Sequence, residues 1–527
     1  MSLCHNDRHS LSHLYSWLRN RDSSTQLVKN STKLQCLVST YQLFYPKQTN
    51  TYHMEMESGM VVLYPSPGIG HLVSMVELGK LIHTHHPSLS VAIFITPAPF
   101  ETGSTDKYIK TVSLTNPSIT FHQLPTADLP PDFSSEFIDL AFGIPEFNNP
   151  IVHDTLVTLS EKATIKAVVL DFFSNAAFQI STSLKIPTYF FYTSGASGLC
   201  AFLYLATIDK TTSDSFKDVN IFFDIPGVPP VHSSHMPMVW SDRETYSYKK
   251  FIETANNMAK SSGIMANTFV GLEERAVDAL REGKCVPNGP TPPIYFIGPL
   301  IAGGNHVDPS ENECLKWLNS QPSKSVVFLC FGSQGVLKKE QLKEIAIGLE
   351  KSEQRFLWVV RDPPPDDKTE SNSGGGKVVG LDAILPEGFL GRIGDKGLVV
   401  KNWAPQPEIL SHESVGGFVS HCGWNSVLEA VVAGVPLVAW PLYAEQKMNR
   451  VYLVEEIKVA LAVDMSSDDF VTAESLEKSV RVLMQGEKGA AVRERILEMR
   501  ERAKAAVEDG GSSKVEFSKL IRSWTDL

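Results

Sequence analysis

Positive charge, cysteine and uninterrupted apolar stretches are all scarce in this sequence. Against 59 Asp and Glu stand 48 Lys and Arg, a formal charge of −11, which argues against the basic face that displaces counterions from a nucleic acid. The seven cysteines (Cys4, Cys36, Cys200, Cys285, Cys314, Cys330, Cys422) are odd in number, far apart and without a C-x-x-C pair. That spacing disfavours a disulfide framework or a structural zinc site and points to a reducing compartment. No apolar run reaches the roughly 18 residues needed to cross a bilayer, because Gly, Pro or polar residues break the longest candidates. A soluble, cytoplasmic protein is expected, with no nucleic-acid partner and no transmembrane segment.

What remains is an ordinary globular composition, 43% hydrophobic and 20% charged over 527 residues, long enough for two to four domains. The first 56 residues differ from the rest: six Lys or Arg, three acids, abundant Ser and Thr, and no clear period. An organelle transit peptide, a disordered tail and upstream sequence from too early a start codon all fit. The last is preferred, because Met54, Met56 and Met60 immediately precede the first convincing strand. Residues 1–56 are thus expected to be disordered or absent from the mature protein. The sequon at Asn30 carries no weight without a secretory signal.

From Met60 onward a short apolar run, a Gly/Pro turn and a helix-period stretch alternate many times. This pattern predicts parallel sheets covered by helices on both faces. Strands are expected over 60–64, 90–96, 165–170, 186–191 and 263–267, then over 325–331, 355–360, 397–401, 416–420 and 436–440. Two such sets imply two doubly wound domains. The break should follow Ile297-Gly298-Pro299-Leu300, with 301–311 as linker. Residues 362–376, with three prolines and three closing glycines, read as a surface loop, with a lid as the alternative. There is no short-period repeat.

Pro65-Ser66-Pro67-Gly68-Ile69-Gly70-His71 follows the first strand, at the carboxyl end where open α/β sheets collect ligands. Val73 stands where a dinucleotide fingerprint needs its third glycine, and no acid follows the next strand, so a nicotinamide dehydrogenase is poorly supported. His71 is either a helix-start residue with local hydrogen bonds or a general base. Asp171 closes the strand at 165–170 and is either a helix N-cap or the carboxylate that orients His71 and stabilises its imidazolium. In the segment 403–446, a buried strand, the tight loop His421-Cys422-Gly423-Trp424 and a helix from Asn425 would offer free N–H groups to a phosphate. Ser426 and Glu429 also match a capping box that needs no ligand, and Trp403 and Trp424 also suit a core.

The 44-residue stretch WAPQPEILSHESVGGFVSHCGWNSVLEAVVAGVPLVAWPLYAEQ, residues 403–446, closely resembles the signature box of plant UDP-dependent glycosyltransferases acting on small secondary metabolites. The resemblance runs from about Met60 to the C-terminus. It includes Gly68 to His71, Phe331-Gly332-Ser333 and Gly510-Gly511-Ser512-Ser513. It implies a GT-B fold, in which two Rossmann-like doubly wound parallel-sheet domains face a central cleft: an acceptor-binding domain over 57–300, a UDP-sugar-binding domain over 312–510, and a last helix over 511–527 returning to the first.

The resemblance also implies residue roles. Trp403 stacks on uracil, Ala404 and Gln406 lie beside uracil and ribose, and Glu429 accepts the ribose hydroxyls. His421, Asn425, Ser426 and Ser333 hold the diphosphate, while Trp424, Glu445, Gln446 and Thr193 contact the sugar. No metal and no cofactor beyond the co-substrate UDP-glucose are implied. Gln446 resembles glucose users, and Trp424 stands where glucuronosyl relatives can carry Arg. Glu445 departs from the Asp of many relatives.

His71 would then deprotonate an acceptor hydroxyl with Asp171 holding the imidazolium, inverting the anomeric centre to a β-glucoside. Val61 to Lys80 and Tyr443-Ala444-Glu445-Gln446 are similar to a subgroup active on chalcones, flavonoids, anthocyanidins and simple phenols. The expectation is a monomeric UDP-glucose-dependent O-glucosyltransferase for a flavonoid- or chalcone-type phenol. The alternatives are another phenol such as hydroquinone, or a non-catalytic nucleotide-sugar-binding protein.

Overall fold

Two parallel sheets organise the chain. In the first run β1 (Gly59–Tyr64), α1 (Ile69–His85), β2 (Ser90–Ile95), β3 (Ile119–Gln123), α2 (Phe137–Phe147), β4 (Thr164–Leu170), β5 (Thr188–Tyr192), α3 (Ala196–Thr211), α4 (Tyr246–Met258), β6 (Gly263–Ala266) and β7 (Ile294–Phe296). In the second run β8 (Val326–Cys330), β9 (Arg355–Val360), β10 (Gly397–Lys401), β11 (Val415–Ser420), α5 (Trp424–Ala433), β12 (Leu437–Ala439), α6 (Gln446–Val451), β13 (Ala460–Ala462), α7 (Glu487–Val507) and α8 (Ser512–Thr525). The computed structural model describes residues 59–97, 99, 104–126, 128–303, 311–364 and 380–526. The expectations for residues 1–56, and for most of 301–311 and 362–376, lie outside them.

Strand order is β3-β2-β1-β4-β5-β6-β7 in the first sheet and β10-β9-β8-β11-β12-β13 in the second. Each order reverses direction once, beside β1 and beside β8, and such a switch point opens a crevice at the carboxyl ends of the strands. Burial on both faces explains the near-continuous apolar strands. Alternate residues feed opposite cores: Val62 and Tyr64 one side of the first sheet, Val61 and Leu63 the other. Likewise Val326 and Phe328 enter one core, Val327 and Leu329 its opposite, which is the period of two expected of a strand.

Register places the chemistry. Tyr64 pairs with Leu170, so the loops leaving β1 and β4 start side by side, and Asp171 N–H donates to Tyr64 O at 3.0 Å. Cys330 pairs with Ser420, so Gly332 and His421 leave their strands together.

The two halves share apolar packing within one compact unit, Glu57–Leu527. Met448, Val451 and Tyr452 enter a first-sheet core, Phe269 and Leu272 enter a second-sheet core, and Phe517, Leu520, Ile521 and Trp524 of α8 pack with Val61 and Leu63. Strands β3, β7 and β13 were not expected. All three are outermost strands of their sheets; the first alternates with polar residues, and the other two have only three residues each.

Candidate active site

Gly68 has φ +113°, a conformation that costs a side chain dearly, and it turns the chain from β1 directly into α1. The helix therefore begins at Ile69, and His71 stands in its first turn. His71 Nδ1 lies 2.8 Å from Asp171 Oδ2; the carboxylate side chain is wholly buried and the imidazole 27% exposed. The other carboxylate oxygen accepts Ser66 Oγ–H at 2.6 Å, and Ser66 Oγ in turn accepts Phe173 N–H at 3.2 Å. Asp171 does occupy an N-cap position, but its side chain makes no capping hydrogen bond. In neutral His71 the carboxylate holds the proton on Nδ1 and leaves Nε2 free to accept another.

Burial by itself lowers the His71 pKa, yet the charge and hydrogen bond of Asp171, with the charge of Glu445, carry it above the ordinary imidazole value. The ring meets Phe172 and Phe173 edge-on, at centroid distances of 5.5 and 5.8 Å. Behind them Phe202 and Phe251 lie within 6.3 Å of Phe172. The imidazole thus stands against an aromatic wall suited to a flat apolar molecule.

The second half supplies the other side. Trp403 is 61% exposed, too open for a core residue and available as a stacking platform. Ala404 is buried beside it. Gln406 Nε2 donates to Ser426 Oγ at 2.9 Å and to Glu429 Oε2 at 2.7 Å. Helix α5 starts at Trp424 with Gly423 as N-cap, so Ser426 is the third helical residue and no capping box forms. Burial raises the Glu429 pKa to about 7 despite the Gln406 hydrogen bond.

His421 is held between glycines: a Cβ at Gly332 (φ +78°) or at Gly423 would fall 2.5 or 2.4 Å from its Nε2. Burial lowers its pKa to about 4, so the ring is neutral at physiological pH, and its buried Nδ1 has no protein partner. Ser333 is exposed on the loop that Gly332 turns. Asn425 Nδ2 reaches Ser74 Oγ of α1 at 3.4 Å, while its Oδ1 is buried without a protein partner. Gln446 is buried, and its Oε1 accepts Leu442 N–H and Tyr443 N–H at 2.9 and 3.0 Å. Burial raises the Glu445 pKa, opposed by His71. Thr193 is half-buried after β5.

Trp424 is 3% exposed and donates Nε1–H to Asn267 O at 2.7 Å, so its ring packs between the halves. Ser66, Ser74, Asn267 and Glu273 were missed. The one signal available for Ser66 was that a wholly buried carboxylate needs more than one donor. Among the described residues, no group of three or more His, Cys, Asp or Glu is arranged to hold a metal ion, no helix is long and apolar enough to cross a membrane, and the cysteines are free.

Residues 284–493 match the family described as UDP-glucoronosyl and UDP-glucosyl transferase. The chain is 72% identical over 470 residues to UDP-glycosyltransferase 88B1 of Stevia rebaudiana, covering 89% of this chain and 100% of that one. It is 51% identical over 482 residues to anthocyanidin 5,3-O-glucosyltransferase of a Rosa hybrid cultivar, covering 89% and 99%. The solved structure of Phytolacca americana UGT2 complexed with UDP-2fluoro-glucose and pterostilbene superposes with a TM-score of 0.80 at 36% identity, covering 89% of this chain and 100% of that one. The chain belongs to the plant UDP-glycosyltransferases, in a flavonoid-type subgroup. It has their GT-B fold, and it is an enzyme that transfers a glycosyl group from a UDP-sugar to small molecules.

Proposed function

We propose that the enzyme is an inverting, metal-independent, UDP-glucose-dependent O-glucosyltransferase, a cytoplasmic monomer whose acceptor is a phenolic hydroxyl of a flavonoid- or chalcone-type molecule. The observation that carries this reading is the His71–Asp171 pair at 2.8 Å, set against the Phe172–Phe173 wall. The Rosa relative's name gives an anthocyanidin acceptor, and the Phytolacca protein is complexed with UDP-2fluoro-glucose and pterostilbene. Both support a flat aromatic acceptor.

In this reading His71 Nε2 takes the hydroxyl proton, and Asp171 stabilises the imidazolium that results. The freed oxygen attacks the anomeric carbon from the face opposite UDP. The bond from that carbon to the phosphate oxygen breaks, its electron pair leaves with UDP, and an α-linked donor gives a β-glucoside. A phenol with pKa near 10 and an imidazole near 6.5 are mismatched by only a few units, and a positioned base contributes about a hundred- to ten-thousandfold.

Trp403 stacks on uracil, with Ala404 and Gln406 beside base and ribose, and Glu429 receives the ribose hydroxyls. The N-terminus of α5, with His421, Asn425, Ser426 and Ser333, meets the diphosphate charge. Glu445, Gln446, Thr193 and the Trp424 backbone address glucose.

The test is a donor competition on one phenolic acceptor with UDP-glucose, UDP-galactose and UDP-glucuronate, with and without EDTA, and NMR of the product's anomeric proton. A β-glucoside formed fastest from UDP-glucose and unaffected by EDTA is expected. Preference for another sugar, an α-linkage or loss of rate in EDTA refutes the corresponding part.

A further inference from the structure

Trp424 spans the two halves in a way that no sugar contact requires. Its indole N–H donates to the backbone carbonyl of Asn267 at 2.7 Å. That carbonyl is itself held, because the Asn267 side chain donates to Leu300 O at 2.9 Å and accepts Leu300 N–H at 2.8 Å. The far edge of the indole lies on Gly195, where a Cβ would fall 2.5 Å from Cζ2, 2.6 Å from Cη2 and 2.8 Å from Glu273 Oε2. The buried Glu273 accepts Ala196 N–H and Ser197 N–H, each at 2.8 Å, and Thr268 Oγ–H at 2.6 Å. Its carboxylate thus caps the start of α3, where a helix dipole favours negative charge. The turn Thr193-Ser194-Gly195 is therefore enclosed between Glu273 on its own half and Trp424 on the other.

We propose that Trp424 is a positioning residue whose ring and N–H clamp this turn against the first residue of α5. The clamp sets Thr193 on the acceptor side at a fixed distance from the helix end that faces the donor diphosphate. The proposal rests on reading the cleft as the UDP-sugar site. Its physical basis is that transfer between two half-sites depends steeply on their alignment, with misplacement of about 1 Å able to cost a hundredfold. UDP alone, held within the second half, is insensitive to that alignment.

Trp424→Phe keeps an aromatic ring but removes the N–H and the atoms Cζ2 and Cη2. Gly195→Ala drives a methyl into the same contact from the other side while leaving the indole intact. Each single variant is expected to lower kcat about tenfold or more while the calorimetric Kd for UDP stays within twofold. In the double variant the shorter ring makes room for the methyl, so part of the kcat lost in Gly195→Ala returns, a coupling that independent sites do not show. Unchanged kcat with a lowered Tm, a UDP Kd that rises in step with the kcat loss, or strictly multiplicative effects would each overturn the clamp. The wild-type assay with UDP-glucose tests the reading of the donor separately. The clamp is read as the ratio of variant to wild-type rate with whichever UDP-sugar the wild type uses.

Discussion

Asp171 and His71 meet at 2.8 Å with opposite solvent exposure: the carboxylate has none, while the imidazole keeps about a quarter of its surface open. The arrangement suits a base whose charge is held from behind at Nδ1 and whose Nε2 is left to accept a proton.

The pH profile tests that arrangement. A protonated His71 accepts nothing, so kcat/KM must fall as pH drops through its pKa, which stands above the ordinary 6.5 because Asp171 and Glu445 together outweigh the opposing effect of burial. Asp171→Asn removes the charge and keeps the burial, so the acid limb should move to lower pH while the plateau rate drops. An acid limb that stays in place or moves upward contradicts the pairing.

Ser66→Ala takes one donor from the Asp171 carboxylate and leaves Phe173 N–H without its acceptor. Hydrogen bonds to charged groups contribute about 1.5–3 kcal/mol, so we expect turnover to fall by about tenfold with little change in UDP affinity. Wild-type turnover in this variant would place Ser66 outside the catalytic arrangement.

Glu429 gives a second titration, this time in binding. Its pKa near 7 without ligand means that ribose hydroxyls, which bind the charged form better, should pull a proton off. Uridine affinity should therefore strengthen as pH rises through about 7, and uridine is the right probe because it has no phosphate to titrate. Glu429→Gln should bind more weakly and lose this dependence; a flat profile in the wild type would contradict the role.

Trp403, 61% exposed, should behave as a platform. Stacking on a base is worth about 1–3 kcal/mol, so Trp403→Ala should raise the UDP Kd roughly 5- to 150-fold, whereas Trp403→Phe should retain most of the affinity. No change in the alanine variant removes Trp403 from the donor site.

Much of this was legible in the chain because its signals are local. Both sheets announce themselves through runs such as 326–330, apolar on both faces, and the loops at 65–71 and 403–446 lie where parallel strands end. What stayed hidden depends on register between distant segments. Ser66 and Asp171 are 105 residues apart, and only the level pairing of β1 and β4 joins them. Trp424 finds its acceptor 157 residues away, across two halves whose packing no hydrophobic period encodes. The strands at 294–296 and 460–462 are short strands at the sheet edges, defined by their pairing with a neighbour more than by any pattern of their own.

The most direct measurement compares wild type with His71→Ala on a panel of chalcones, flavonols, isoflavones, anthocyanidins and hydroquinone, using UDP-glucose, mass-spectrometric detection of product and calorimetric UDP binding in parallel. Addition of one hexose to at least one of these phenols is expected of the wild type, and a loss of about a hundredfold or more in the variant with UDP affinity nearly unchanged. Near-wild-type turnover by His71→Ala, or no hexose on any phenol despite measurable UDP binding, would contradict the proposed function.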